Sequence, residues 1–477
     1  MSDPPARSGR LQHKWLAMTV VSVGTFMSTL DASIVNVSLP TITASLNTDL
    51  MTVQWVVAVY LLVVTGLLLT LGRLADLIGR KPIFIAGFTI FTIGSVLCGL
   101  SRSVYFLIGF RGLQAVGAAM LMANGPAIIT GAFPSTERGK ALGMLGMVVA
   151  SGLTVGPALG GFLIAAAGWP LIFFINVPIG IIGIAVALAV LPHEDRGHER
   201  RFDIPGALLL SACLVSLMLS LNQGAERGWS SPYIAGLFLA SAVFGILFIA
   251  RERSTAHPVL DLALFRNRLF AAASASAFIN YAATFAVTFL MPFYLSQVLG
   301  YGPARMGLTL TVIPITLAVV APLSGTLSDK IGSRALGSIG LGIASIGLLL
   351  ISRLGWHPSH AQVVGALAVM GFGTAVFQSP NSSAIMGSAP QRMLGVAAGM
   401  VATMRNLGMV TGIAVSGAVY MSRRICYAAE LGALPAAVHA FRDAFVVAAA
   451  ICAVGVITSA MKGPTRSAEV LELSVER

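Results

Sequence analysis

Residues 72–81 read GRLADLIGRK, and residues 325–334 read GTLSDKIGSR. Both stretches follow an apolar run and share a glycine, a leucine, an aspartate, an isoleucine and a second glycine at the same spacing. The two copies lie 253 residues apart, which indicates an internal parallel repeat. In a membrane transporter, such a repeat predicts two similar helical bundles around a central path, with substrate bound near the middle of the membrane.

The composition is typical of an integral membrane protein. Hydrophobic residues make up 56% of the 477 residues, charged residues make up 10%, and the mean hydropathy is +0.87. Soluble globular domains are far less apolar. A membrane-spanning helix needs about 20 apolar residues, and we find fourteen runs of roughly that length. They lie near residues 16–39, 53–71, 83–100, 104–131, 141–166, 171–191, 204–221, 233–250, 270–298, 306–327, 335–354, 361–384, 395–421 and 441–460.

The distribution of basic residues predicts the orientation. With the N-terminus in the cytoplasm, 21 Lys and Arg residues fall on the inner side and 7 on the outer side. This excess is expected of cytoplasmic loops. It also accounts for the net charge of +12 without nucleic acid as a partner, because the charges are dispersed over loops that face lipid headgroups. We therefore predict a multi-pass protein of the cell (inner) membrane, with both termini cytoplasmic.

The spacing of the repeat predicts the domain organisation. An offset of 253 residues is longer than six helices need, and eight of the predicted helices fill it. The two extra helices are predicted to link two six-helix bundles. The predicted segments are a cytoplasmic N-terminal segment (1–15), an N-terminal six-helix bundle (16–191), a linker with two extra transmembrane helices (192–269), a C-terminal six-helix bundle (270–460) and a cytoplasmic tail (461–477).

Five further stretches carry a family resemblance. They are LDASIVNVSLP (30–40), RGLQAVG (111–117), GLTVGPALGG (152–161), FFINVPIG (173–180) and PVLDLALFRNR (258–268). Together with the repeated loop, they resemble the motifs of the major facilitator superfamily and, within it, of the fourteen-helix drug:proton antiporters of the multidrug efflux type. The resemblance covers nearly the whole chain. It implies an all-α integral membrane fold of two six-helix bundles plus an inserted helix pair, 14 transmembrane helices in all, and transport by alternating access.

The repeated loop has a structural and a functional interpretation. Its glycines suit a tight turn between helices, and its basic residues fit the inner-side excess of positive charge. The resemblance implies instead a conformational gate, in which the aspartate latches one state against a helix N-terminus or an arginine. The predicted gate residues are Gly72, Arg73, Asp76, Gly79, Arg80, Lys81 and Asp329. The second copy has Ser333 where the first has Arg80, which makes it a weaker gate candidate.

The fifth predicted helix has glycines at a four-residue spacing. Gly152, Gly156 and Gly160 allow close helix packing, and Pro157 adds a bend. Packing alone explains each glycine taken singly. The resemblance implies that these residues and Gly161 form a hinge that is characteristic of exporters.

Asp31 is the acidic residue that lies well inside a predicted span. A charged group at the centre of a transmembrane helix costs about 2.5 kcal/mol or more, so it usually faces a partner or a wet cavity. Asp31 and Arg111 lie about 12 Å and about 10 Å from the outer ends of helices 1 and 4 at 1.5 Å per residue, so their depths agree. Gln114 shares a face with Arg111. Two interpretations remain open: a static ion pair, or a carboxylate that binds and releases a proton as its surroundings change.

Several energy sources and chemistries have no motif in the chain. It has no phosphate-binding loop of the G-x-x-x-x-G-K-[ST] type, no C-x-x-C spacing among its four cysteines, and no H-E-x-x-H or G-x-S-x-G. All seven histidines lie at the ends of predicted spans or in loops. We therefore expect no enzyme activity, no metal site and no cofactor, with a proton gradient as the energy source.

Polar residues at a plausible depth for a substrate cavity are the remaining candidates. Each amide can equally make a packing hydrogen bond between helices, and the arginine can equally cap backbone carbonyls. The cavity candidates are Asn36, Gln114, Asn124, Asn280, Gln378, Asn381 and Arg405.

The sequence thus predicts a proton-coupled antiporter that exports amphipathic or lipophilic organic compounds, with Asp31 as the proton carrier and Arg111 beside it. Multidrug efflux of this kind confers antibiotic resistance. The expected partners are a small amphipathic substrate, protons and membrane lipids, and the expected state is a monomer. Three alternatives remain open: a dedicated exporter of a lipid, siderophore or secondary metabolite on the same fold, a non-transporting scaffold or receptor, and a channel.

Overall fold

The computed structural model describes residues 7–134, 137–191, 203–228, 230–255, 262–388 and 394–462. Within these ranges all regular secondary structure is helical, which confirms the all-α class. The first nine helices are α1 (Arg7–Ser45), α2 (Leu50–Ile78), α3 (Arg80–Gly99), α4 (Val104–Ala132), α5 (Arg138–Ala167), α6 (Leu171–Phe174), α7 (Asn176–Val190), α8 (Ile204–Arg227) and α9 (Pro232–Ser254). The others are α10 (Arg268–Phe293), α11 (Pro303–Leu310), α12 (Val312–Ile331), α13 (Ser333–Ser352), α14 (His360–Gly387), α15 (Leu394–Leu431) and α16 (Ala433–Ala460).

The chain folds as two compact units. Unit 1 comprises Met1–Leu214 and Thr255–Val259, and unit 2 comprises Val215–Ser254 and Leu260–Arg477. The division falls inside α8, within the helix pair that the sequence predicts as an insertion. In the first half of α8, the Ser211 hydroxyl donates a hydrogen bond to the carbonyl of Gly66 in α2. The finer domain boundaries given above stay predictions.

The helices are those of a multi-pass membrane protein. Among the described residues, twelve helical segments are long and apolar enough to cross a membrane. Two other predicted spans fall on helices outside that set: 204–221 corresponds to the shorter apolar segment Pro205–Leu221, and 395–421 lies within α15. The number fourteen therefore stays a prediction.

The internal repeat is visible in the helix packing. Gly94 of α3 lies so close to α4 that a methyl group there would stand 2.7 Å from Gln114 Cα. Gly347 of α13, 253 residues later, approaches α14 in the same way, with a methyl group 2.5 Å from Met370 Cα. The turn glycines also correspond: Gly79 has φ 101° and Gly332 has φ 84°, a region that L side chains rarely adopt. Each glycine ends one helix and starts the next.

Candidate functional site

Asp31 lies in the middle of α1 and is completely buried. Its Oδ2 forms an ion pair with Nη1 of Arg111 at 2.5 Å, and its Oδ1 accepts a hydrogen bond from Nε2 of Gln114 at 2.9 Å. Arg111 is 1% exposed and Gln114 is fully buried. The structure thus brings together the three residues that the sequence places at one depth, and it joins α1 to α4.

Two further polar side chains complete this arrangement, and sequence reasoning missed both. Nδ2 of Asn176, the first residue of α7, donates to Asp31 Oδ1 at 3.0 Å, and Oγ of Ser95 on α3 accepts from Gln114 Nε2 at 2.8 Å. The signal for Asn176 was present, because it is a polar residue inside the apolar stretch 173–180. Its partner was not predictable, because Asp31 lies 145 residues earlier in the sequence and no spacing links the two positions.

Arg111 has other partners besides the carboxylate. Its Nε donates to the carbonyl of Val56 at 3.1 Å, and its Nη1 also donates to Oε1 of Gln114 at 2.6 Å. The guanidinium carbon lies 4.2 Å from the centroid of the Tyr60 ring, a cation–π contact. The guanidinium is therefore stabilised from several sides inside an apolar bundle.

The site suits an ionised carboxylate. Asp31 receives three side-chain hydrogen bonds, from Arg111, Gln114 and Asn176. A charged carboxylate only accepts hydrogen bonds, whereas a protonated one must donate its own O–H. Binding a proton would therefore require at least one of these contacts to rearrange. We refer to Asp31, Arg111, Gln114, Asn176 and Ser95 as the Asp31 network.

The basic residues of the first repeated loop contact helix ends within unit 1. Arg80 Nη1 donates to the carbonyl of Ala127 in α4 at 2.9 Å. Lys81 Nζ donates to the carbonyls of Leu188 and Leu191 at the end of α7, at 2.9 and 2.5 Å. Cations at a helix C-terminus are favoured by the helix dipole. These contacts give Arg80 and Lys81 a structural role, whatever part they have in a gate.

Of the other predicted gate residues, the structure describes the two glycines but not the side chains of the charged residues. Gly72 faces α4, where a methyl group would lie 3.5 Å from Ala123 Cβ, and Gly79 makes the turn described above. The side chains of Arg73, Asp76 and Asp329 lie outside the described residues. The gate itself therefore stays a prediction.

The glycines of α5 form a close contact with α1. A methyl group at Gly156 would collide with the Ser33 hydroxyl, and one at Gly152 would collide with Thr29. Ser33 Oγ donates across the same interface to the carbonyl of Gly152 at 3.1 Å. Gly160 faces Ile34 in the same way; Pro157 lies inside α5 and Gly161 is buried beside it. The spacing thus predicts the packing, and the hinge role stays a prediction.

The predicted cavity amides are mostly bound to backbone carbonyls. Asn36 and Asn124 donate to the carbonyls four residues earlier in their own helices, and Asn381 donates to the carbonyl of Ala273 on α10 at 3.0 Å. Asn280 differs: it is 1% exposed, and within the described part of the chain neither its amide oxygen nor its nitrogen has a hydrogen-bond partner. Gln378 is half-buried.

Arg405 and the cavities add little to this assignment. Arg405 is half-buried, and its Nε donates to Oδ1 of the neighbouring Asn406 at 3.4 Å. An apolar groove of about 710 Å³ in unit 1 is lined by residues of α1, α5 and α7, among them Met18, Met144 and Met147. None of the predicted cavity residues lines this groove.

Comparison with known proteins identifies the family. The sequence profile of the Major Facilitator Superfamily matches residues 21–267 and 273–473. The chain belongs to this superfamily. A solved structure with the same fold is that of a bacterial homolog of the human lysosomal transporter Spinster, in an inward-facing and unoccupied conformation, with a TM-score of 0.69. The match covers 97% of this chain and 98% of that one at 15% identity, and it bears on the fold alone.

Curated relatives of this superfamily member are named as transporters. The riboflavin transporter RibZ of Clostridioides difficile (strain 630) is 36% identical over 449 residues, which is 94% of this chain and 97% of RibZ. The multidrug resistance protein Stp of Mycobacterium tuberculosis (strain ATCC 25618 / H37Rv) is 34% identical, covering 85% of this chain and 75% of Stp. The multidrug transporter protein MdtP of Bacillus subtilis (strain 168) is 29% identical, covering 88% and 77%. The superfamily and these names indicate a transporter, not an enzyme, and support the multidrug efflux type.

Proposed function

We propose that the protein is a proton-coupled antiporter of the inner membrane that exports amphipathic or lipophilic organic compounds, and that Asp31 is its proton carrier. The observation that carries the proposal is the Asp31 network, a carboxylate at mid-helix, completely buried and bound by three side-chain donors. Placing an ionisable group inside a membrane costs free energy, and such groups usually mark an ion or substrate path.

The partners of Arg111 favour a carboxylate that switches over a static ion pair. Removing the charge of one member of a buried pair normally leaves the other uncompensated. Here Arg111 would retain the Val56 carbonyl, the Gln114 amide oxygen and the Tyr60 ring if Asp31 became neutral. The network can therefore hold the guanidinium in place while Asp31 gains and loses a proton.

A proton cycle follows from this arrangement. In the state open to the outside, Asp31 takes up a proton and the compound leaves. In the state open to the cytoplasm, Asp31 releases the proton, re-forms its three hydrogen bonds, and a new compound binds. Each proton that crosses the membrane contributes about 2.3 kcal/mol per 100 mV, so one or two protons suffice for a roughly hundredfold gradient of a neutral compound. No cofactor takes part in this cycle.

The test is compound-dependent proton movement. Proteoliposomes containing the full chain are given a pH gradient, and proton release is recorded as lipophilic cations are added one at a time. Wild type should respond and Asp31→Asn should not. The matched control is Asp49→Asn, because Asp49 caps the N-terminus of α2 and asparagine caps equally well. Coupled exchange by Asp31→Asn at the wild-type rate would refute the assignment of the carrier.

A second candidate is a dedicated transporter of one metabolite. RibZ, a riboflavin transporter, matches this chain over 97% of its own length at 36% identity. Riboflavin therefore belongs in the panel of compounds. Proton movement with riboflavin alone would favour the dedicated transporter, and movement with several unrelated lipophilic cations would favour multidrug efflux.

A further inference from the structure

Where α13 begins and α16 ends lie three buried polar groups that have no hydrogen-bond partner among the described residues. They are the ammonium of Lys462, the hydroxyl of Ser459 and the hydroxyl of Ser333, whose side chains are 1%, 0% and 4% exposed. Buried polar groups are nearly always hydrogen-bonded, and a buried amine without a partner is especially costly. Three such groups at one end of unit 2 indicate a ligand that satisfies them.

The geometry directs these groups to the start of α13. A methyl group at Gly337 would stand 2.5 Å from Ser459 Oγ and 3.0 Å from Lys462 Nζ, so both atoms press against this helix. Ser333 precedes Gly337 by four residues and therefore lies on the same face, one turn closer to the N-terminus. Ser459 lies in the last turn of α16 and Lys462 lies two residues after the end of this helix, and the side chains of both reach the same position of α13.

The start of α13 itself favours an anion. This helix of 20 residues begins at Ser333, directly after the turn at Gly332, and no side chain caps its N-terminus. The N–H groups of a first helical turn have no partners within the helix, and the helix dipole places positive potential there. A helix N-terminus together with a buried ammonium forms an anion-binding arrangement.

The charges around this end are positive. Lys330 and Arg334 flank the turn and are exposed, and Arg268 is exposed with its Nε bound to the carbonyl of Met461 at 2.9 Å. Lys462 Nζ lies 5.3 Å from the centroid of the Phe377 ring, a cation–π contact. Burial lowers the pKa of Lys462 to about 7, and a bound anion would favour its protonated form.

The equivalent end of unit 1 contrasts with this one. There the cation is Lys81 at the start of α3, and its ammonium is satisfied by the carbonyls of Leu188 and Leu191 at the end of α7. In unit 2 the lysine stands on the last helix, and its ammonium has no carbonyl within hydrogen-bond distance among the residues that the structure describes. The lysine in the first repeat therefore has hydrogen-bond partners within the protein, whereas the ammonium of Lys462 has none among the described residues.

We propose that Lys462, Ser459, Ser333 and the first-turn N–H groups of α13 bind a phosphate group. The ammonium and both hydroxyls donate to the phosphate oxygens, and the helix N-terminus stabilises their charge. The predicted topology places this end at the cytoplasmic surface of the membrane, where the phosphate can belong to a lipid headgroup or to a free phosphate. The proposal does not depend on the transported compound or on proton coupling.

The experiment measures the Tm of the full chain, purified in an uncharged detergent and freed of lipid. The additives are inorganic phosphate, sodium chloride at equal ionic strength, phosphatidylglycerol, and diacylglycerol with the same acyl chains but no phosphate. We expect phosphatidylglycerol, inorganic phosphate or both to raise the Tm by about 2 °C or more over their controls. An effect of the lipid alone identifies a headgroup site, and an effect of inorganic phosphate identifies a site open to the free ion.

Variants decide whether the effect comes from this site. Lys462→Met should abolish the rise, Ser459→Ala should reduce it while keeping the lysine, and Lys330→Met, an exposed cation at the same end, should preserve it. An equal rise in Lys462→Met and Ser459→Ala, or no rise in wild type, would overturn the proposal. In one further outcome, the wild type shows no rise in Tm, and the rise appears only in a variant with Glu469, Glu472 and Glu476 changed to Gln. Lys462 would then bind a carboxylate of the chain's own tail, and the proposal would also be overturned.

Discussion

The side-chain nitrogen of Asn176 donates to Oδ1 of Asp31 at 3.0 Å, so the start of α7 is joined to the middle of α1 at the depth of the ion pair. Gln114 donates to the same oxygen from α4. Asp31 is therefore hydrogen-bonded to two helices other than its own, α4 and α7. A shift of α4 or α7 against α1 would change the number of hydrogen-bond donors on the carboxylate.

Replacing Asn176 by Ala should move the pH dependence of transport. The variant removes one of the three donors to the Asp31 carboxylate, a hydrogen bond worth about 1.5 kcal/mol, so the pH of half-maximal transport should rise. The measurement is the rate of compound-driven proton exchange between pH 5 and 9. Ser38→Ala serves as the control, since it removes a buried hydrogen bond of α1 that does not involve Asp31. An unchanged pH profile with a lowered Tm would reduce Asn176 to a packing role.

A double variant separates the static ion pair from the proton carrier. Arg111→Gln alone should lower stability by up to about 3 kcal/mol, because it leaves the Asp31 carboxylate buried without its counter-charge. Asp31→Asn alone should lower it less, because Arg111 keeps the Val56 carbonyl, the Gln114 amide oxygen and the Tyr60 ring. Combining them removes both charges, so the double variant should recover much of the Tm and still fail to exchange protons for compound. Recovery of transport together with the Tm would show that the pair only holds α1 and α4 together.

Gly156→Ala should destabilise the contact between α1 and α5. The new methyl group collides with the Ser33 hydroxyl, whereas the same change at Gly146 of α5 meets no atom within 4 Å. We expect a Tm several degrees lower for Gly156→Ala and an unchanged or slightly higher Tm for Gly146→Ala, since alanine favours helix. Ser33→Gly in the Gly156→Ala background should restore part of the loss. Failure of that rescue would point to a role of Gly156 beyond packing.

Lys81→Met should loosen the end of α7. The variant removes two hydrogen bonds to helix C-terminal carbonyls and a favourable interaction with the helix dipole, together about 1–2 kcal/mol. The Tm should fall by a few degrees, with Lys330→Met as the matched change at an exposed lysine of the second copy of the loop. Lost transport at an unchanged Tm would instead favour the gate role of Lys81.

The stability of the anion-free protein should depend on pH through Lys462. The pKa of this lysine is lowered to about 7 in the folded state because burial disfavours the charged ammonium, whereas an unfolded lysine titrates near 10.5. Between these values the unfolded chain binds more protons, so stability rises with pH from about 7 to about 10.5 and falls as the pH is lowered across the same range; below about 7, Lys462 makes no further change. The contribution is on the order of a few kcal/mol. Tm measured against pH should be flatter in this range for Lys462→Met; parallel curves would contradict the burial of a charged ammonium.

The fold was predictable because its signals are local and repeated. The 253-residue offset between the two loop motifs recurs in the turns at Gly79 and Gly332 and in the close approaches of Gly94 and Gly347. The contact between Asp31 and Arg111 was predictable from the helix rise of 1.5 Å per residue, because this rise places both residues at a similar depth in the membrane.

The other contacts of the site could not be predicted, because they join residues whose spacing along the sequence carries no signal. Asn176 reaches Asp31, which lies 145 residues earlier in the chain, because α7 packs against α1. Lys81 and Arg80 were predictable as basic residues of an inner loop, but the carbonyls that they contact lie more than 40 residues away in the sequence. Lys462 gave no signal, because a lysine at the end of a last helix is ordinarily exposed.

Every partner of Asp31 among the described side chains comes from unit 1. The site is thus encoded by one contiguous half of the gene, and it can be inherited or exchanged as a block when halves of related transporters recombine. Mutations in the second half can accumulate without dismantling it. A lineage built on this plan can acquire new cargoes while keeping the Asp31 network intact.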